Sequence, residues 1–168
     1  IFGLEFLYWT AAAGVPGLLV AYEESEAAMI TSLLSPGIDL RPQLQEGNLA
    51  IIDTVPESMG VEEQLIRILD AAEALAPRHI VVDAISALQR MGSERAAFDF
   101  LVRLLAHCKT NGITLMLVCQ HRDSRPFYEL SGFGISSLID TVVYLRFDDS
   151  AGRIRTMLAV IKSRGSFH

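Results

Sequence analysis

Three apolar runs in this sequence stop at polar residues able to do chemistry. Leu18-Leu19-Val20-Ala21-Tyr22 ends at Glu23-Glu24-Ser25, His79-Ile80-Val81-Val82 ends at Asp83, and the run from Ile113 to Cys119 ends at Gln120. Apolar runs this short read as strands buried on both faces. A carboxylate ending such a strand is costly if left alone. Asp83 therefore suits either a divalent cation or the cap of a following helix. Glu23 and Glu24 precede a helical pattern, and a helix amino-terminus favours negative charge. In a parallel sheet the three strand ends share one rim, where ligands of open α/β sheets bind. Their recurrence favours a water-activating, metal-binding rim over three unrelated caps.

The elements that must position these groups alternate along the chain. Ile1 to Ala13 is helix-like, with Phe2, Phe6 and Trp9 spaced to share a face, and Gly14-Val15-Pro16-Gly17 ends it. A strand follows at Leu18–Tyr22, then a helix from Glu26 to Leu34 that Ser25 can cap and Ser35-Pro36-Gly37 terminates. Leu49–Asp53 is the next strand. Val61 to Ala76 is amphipathic, with Val61, Leu65, Ile68, Leu69, Ala72 and Leu75 on one stripe and Glu62, Glu63, Arg67, Asp70 and Glu73 facing out. The strand ending at Asp83 comes next. Ser93 to Thr110 is a helix with Phe100, Leu101, Leu104, Leu105 and Cys108 inward, and Ile113–Gln120 is a strand. His121 to Gly134 has no sustained period and reads as a mobile loop. Leu138–Arg146 and Arg153–Ile161 form a hairpin through Asp148-Asp149-Ser150-Ala151-Gly152. The alternation predicts an α/β fold: a mostly parallel sheet, helices on both faces, and a C-terminal antiparallel hairpin.

The chain has 168 residues, half of them hydrophobic, so one domain with a sizeable core is the economical reading. A mean hydropathy of +0.34 suits a sheet covered on both faces. The net charge of −6 argues against a mainly electrostatic nucleic-acid binder. Cys108 and Cys119 lack metal spacing, which fits a reduced cytoplasmic interior better than a disulfide framework. No apolar run reaches the length of a membrane span.

The pattern resembles the RecA-like ATPase domain of the KaiC family, the cyanobacterial clock protein and its relatives, over nearly the whole chain. The resemblance rests on Leu18 to Ser25, His79 to Leu88, Ile135 to Thr141 and Ile161-Lys162-Ser163-Arg164-Gly165-Ser166-Phe167-His168, the last being the most specific. It implies a single RecA-like P-loop NTPase domain over residues 1–168, beginning just past the phosphate loop and lacking that loop and the first strand. Such an excerpt alone is expected to be inactive or to bind ATP weakly, since the loop cradles phosphate. The resemblance further implies ATP and Mg as cofactors. Glu23 and Glu24 match paired catalytic glutamates, Asp83 the magnesium-organising position, and Gln120 a sensor of the terminal phosphate. Lys162, Arg164 and His168 match residues that reach the ATP of the neighbouring subunit in a hexameric ring. Ser136 and Ser137 occupy a position of autophosphorylation. Self-association and signalling-protein partners follow, with neither membrane nor nucleic acid expected, although Arg122 and Arg125 would lie in a channel-facing loop.

Three rival functions compete with a hydrolysing ring subunit in signalling or timing. A non-catalytic, nucleotide-gated interaction module does not require the Glu23-Glu24 pair. A RecA-like DNA-dependent ATPase needs basic channel loops, which are faint here. A flavodoxin-like binding fold fits the alternation but leaves the run from Lys162 to His168 unexplained.

Overall fold

The apolar runs assemble into one parallel sheet because they are too hydrophobic to leave either face in water. In the computed structural model, residues 2–55, 58–120, 134–148 and 152–165 are described. They belong to two units, Ile1–Phe133 and Gly134–His168. Residues 121–133 of the predicted mobile loop, Arg122 and Arg125 among them, lie outside the described residues, as do Ser166, Phe167 and His168.

In the first unit the order is α1 (Phe2–Ala12), β1 (Gly17–Ala21), α2 (Glu26–Leu34), α3 (Arg41–Gln45), β2 (Leu49–Asp53), α4 (Val61–Leu75), β3 (His79–Asp83), α5 (Leu88–Met91), α6 (Glu94–Thr110) and β4 (Thr114–Leu117). The four strands are parallel in the order β2-β1-β3-β4. Leu18, Val20, Ile80, Val81 and Val82 are fully buried. One face packs Leu19, Ala21 and Val81 against Leu4, Leu7 and Ala11 of α1 and Met29 and Leu33 of α2. The opposite face is covered by α4 and α6, whose predicted stripes are inward: Ile68, Leu101 and Leu104 are fully buried. The second unit is the hairpin of β5 (Thr141–Asp148) and β6 (Arg155–Ser163), preceded by a 3-10 turn at Ile135–Ser137.

Some expectations change. The shared aromatic face of α1 is only partly covered: Phe6 packs at the edge of the core, Phe2 and Trp9 are 56% and 67% exposed, and Leu4, Leu7 and Ala11 are buried. Gly3 explains the choice, because it lets the helix lie close against β3. Helices α3 and α5 were not foreseen, each being too short to show a helical period. β4 stops at Leu117, not Gln120. Both hairpin strands sit later than the expected Leu138–Arg146 and Arg153–Ile161, because Leu138 N–H bonds Ile135 O and closes a turn where extended chain was expected.

Gly3 gives a direct test of this packing. A Cβ there would stand 2.7 Å from Val81 Cγ1, a stiff β-branched side chain with no exposure. Alanine in a helix interior normally gains about 1 kcal/mol over glycine. Overpacking a rigid core costs about 1–3 kcal/mol. Gly3→Ala is therefore expected to lower the denaturation midpoint, and a raised midpoint would refute the close packing of α1 on β3.

Candidate active site

The site is assembled by register. Ala21 of β1 lies opposite both Asp53 of β2 and Asp83 of β3, so three strands end level. Tyr22 N–H donates to Asp83 O at 2.9 Å, holding the two chains together one residue further. Glu23 and Glu24 follow at once, both exposed. Together with Asp83 and Ser32 of α2 they line one small cavity, floored by Leu4, Leu19, Ala21, Met29 and Leu33.

The bonds around the rim separate structural carboxylates from the rest. The amino-terminus of α2 is served by two other groups: Asp53 Oδ2 accepts from Glu26 N at 3.0 Å, and Ser25 Oγ accepts from Ala28 N at 3.3 Å. Glu23 and Glu24 are not needed there as caps. Asp83 caps nothing either. The 3-10 turn Ile85–Ala87 and α5 behind it start at Ala84 and Ala87, without a side-chain cap. Burial raises the Asp83 carboxyl above the usual range, and the charges of Glu23 and Glu24 add in the same direction. A divalent cation would reverse that balance, which is the sense in which the residues fit magnesium. Among the described residues no three His, Cys, Asp or Glu side chains form a metal cage. Such an ion would complete its shell from nucleotide and water, as Mg commonly does.

Gln120 lies three residues past β4, and its Nε2 donates to Glu23 Oε2 at 3.0 Å. Four sequence-predicted groups of the first unit, Glu23, Glu24, Asp83 and Gln120, are thus linked by one cavity and one hydrogen bond. Asp53 and Ser32 were not foreseen as rim residues. Asp53 carries the same signal as Asp83, a carboxylate ending an apolar run, and only the bond to Glu26 tells them apart.

Within the second unit, Lys162 Nζ donates to Ser136 O at 2.7 Å and Arg164 Nη2 to Ser137 O at 2.6 Å. Arg164 also pairs with Asp140, Nη1 to Oδ1 at 3.4 Å, and its N–H extends the strand ladder to Asp140 O at 2.9 Å. Both cations end on the turn that carries Ser136 and Ser137, each on a different carbonyl. Asp140 was not anticipated as a partner.

Comparison with known proteins decides the family. A model of the KaiC ATPase family matches residues 1–168. The chain belongs to the KaiC ATPase family. Over 98% of its length it is 32% identical to the circadian clock oscillator protein KaiC of Parathermosynechococcus lividus, covering 30% of that protein. It is 31% identical to the KaiC of Acaryochloris marina, covering 31%, and 27% identical to the circadian clock protein KaiC3 of a Synechocystis species, covering 32%, again over 98% of this chain in each case. The chain spans about a third of the length of these curated relatives. Its α/β architecture, a parallel sheet flanked by helices plus an antiparallel hairpin, is that of a RecA-like KaiC domain.

In this KaiC-family chain the raised Asp83 carboxyl makes a stability prediction. A carboxyl whose folded pKa lies above its unfolded value contributes stability below the unfolded pKa and loses it as pH rises through the folded value. Ionised Asp83 therefore weakens the fold near neutrality. Asp83→Asn should raise the denaturation midpoint at pH 7, and the gain should vanish below about pH 4, where both states are protonated. Midpoints measured across that range check it; a gain independent of pH would contradict the burial cause.

Proposed function

We propose that this chain is the ATP-hydrolysing part of a KaiC-like ring subunit, with ATP and Mg as its cofactors and with the two units forming one RecA-like domain. The observation that carries the reading is the convergence of Glu23, Glu24 and Asp83 on one cavity at the level ends of adjacent strands. Asp83 would hold the magnesium ion, directly or through water, which neutralises phosphate charge when bound. The Glu23-Glu24 pair orients the attacking water and accepts its proton. Gln120 contacts the terminal phosphate. Family membership supports ATPase activity at the level of the family.

The ring is proposed as a homo-hexamer with ATP at subunit interfaces. Lys162 and Arg164, with His168, face the neighbouring subunit's nucleotide, where two cations stabilise charge on the transferred phosphoryl group. The hydroxyls of Ser136 and Ser137 are candidate acceptors of that group. Signalling or circadian timing, through protein partners, is the proposed output, in the cytoplasm. None of the described helices is long and apolar enough to cross a membrane.

Two measurements on the full-length protein test the reading. Glu23→Gln with Glu24→Gln should slow hydrolysis more than about a hundredfold, the scale of general-base loss, while nucleotide still binds. Arg164→Ala should also be slow, and mixed rings of the two inactive variants should regain part of the turnover. Loss of binding in the double variant would make the carboxylates structural. Mixed rings, verified by native mass spectrometry, that recover nothing would refute the assignment in trans.

For the serines, the full-length protein incubated with ATP and magnesium should carry phosphate on Ser136 or Ser137 in mapped peptides. An unmodified pair during active turnover would remove the kinase component and leave the ATPase.

A further inference from the structure

The bond between Gln120 and Glu23 joins strands that are not neighbours. β3 lies between β1 and β4 in the sheet. Adjacent strands stand about 4.8 Å apart, so the ends of β1 and β4 are separated by roughly 10 Å. The 3.0 Å contact from Gln120 Nε2 to Glu23 Oε2 therefore reaches across the end of β3, where Asp83 emerges. The two residues are 97 apart in sequence, so only the sheet brings them together. Glu24, the adjacent carboxylate of the same cavity, accepts no such bond among the described residues.

We infer that Gln120 is a positioning residue for Glu23, fixing its carboxylate over the end of β3 and so selecting Glu23, not Glu24, as the group that takes the proton from the attacking water. The inference rests on the proposed hydrolysis and deepens it. In that step one water O–H proton passes to the Glu23 carboxylate, the water oxygen bonds the terminal phosphorus, and the bond from phosphorus to the ADP oxygen breaks with its electron pair on ADP. A flexible glutamate at an exposed strand end samples many rotamers, and restricting it before reaction removes that cost from the barrier. The amide also leaves Glu23 its other oxygen for the water, since a carboxylate has about four acceptor positions. A single amide carries two N–H groups, so Gln120 can hold Glu23 with one while the other meets the terminal phosphate. Orientation of the base then depends on the nucleotide in place.

A double-mutant cycle on the full-length protein tests this, with single-turnover rates and circular dichroism for each variant. Gln120→Ala should lower the hydrolysis rate by about tenfold or more, the scale of one hydrogen bond to a charged group. In the Glu24→Gln background that loss should persist. In the Glu23→Gln background it should shrink to less than about twofold, because the residue being positioned no longer accepts a proton. Equal losses in all backgrounds would overturn the inference while leaving the ATPase reading intact. A Glu23→Gln variant that hydrolyses ATP at the wild-type rate would instead remove Glu23 as the base, and the inference with it.

Discussion

The in-register pairing of β1 with β3 is the constraint on which the rest depends. Leu18, Val20, Ile80, Val81 and Val82 are removed from water entirely, and each such side chain contributes about 1.5–3 kcal/mol. With both faces apolar, the polar ends fix register, since a slip of one residue would draw the carboxylates of Asp53 or Asp83 toward the buried interior. Register in turn sets Ala21 opposite Asp83 and brings Glu23 and Glu24 out at the same rim. β2 is tied to the same level, so Asp53 arrives where it can cap α2. The capped helix then presents Met29, Ser32 and Leu33 to the cavity. A chemical rim is thus the boundary of a hydrophobic event.

What was legible in the sequence follows from that same physics. Buried strands and long amphipathic helices announce themselves through apolar runs and periods, which is why β2 and α2 appear at their expected bounds and the stripes of α4 and α6 face inward. The aromatic spacing in α1 does not say which side is buried, and close approach to β3 favours Gly3 and the smaller Leu4, Leu7 and Ala11 over Phe2 and Trp9. Strand-end residues could be nominated but not sorted. Asp53 and Asp83 look alike in sequence, and a contact 27 residues away from Asp53 makes one a cap. The link from Gln120 to Glu23 had no local signal at all.

The hairpin unit shows a different kind of convergence. Lys162 and Arg164 lie two residues apart, and their charges end on consecutive carbonyls, those of Ser136 and Ser137. Charge-assisted bonds to backbone oxygens hold the turn against the strand ends without consuming all the donors of either side chain, since lysine has three and arginine five. The ion pair of Arg164 with Asp140 is solvent-exposed on both sides and adds little by itself. The turn and the cations are therefore mechanically joined.

Two aspartates make the contrast that bears most on function. Asp39 sits in solvent beside Arg41, whose Nε and Nη2 each reach it at 2.8 Å, and those bonds hold its carboxyl below the usual range. Asp83 is half-buried, has two carboxylates for neighbours, and receives no such help from a Lys or Arg side chain, so its carboxyl is pushed up. An aspartate that served only the fold would be expected to have a cap or a cation, as Asp53 and Asp39 do. Among the described residues Asp83 has neither a capping bond nor a Lys or Arg partner, and its ionised form works against the strand burial beside it. A chain under selection for stability alone would lose that carboxylate readily, since asparagine or an apolar residue fits a strand end without the charge. Local conflict of this kind, set inside an otherwise consistent core, is where function is expected to reside. A divalent cation beside Asp83 would offset the burial that holds its carboxyl up.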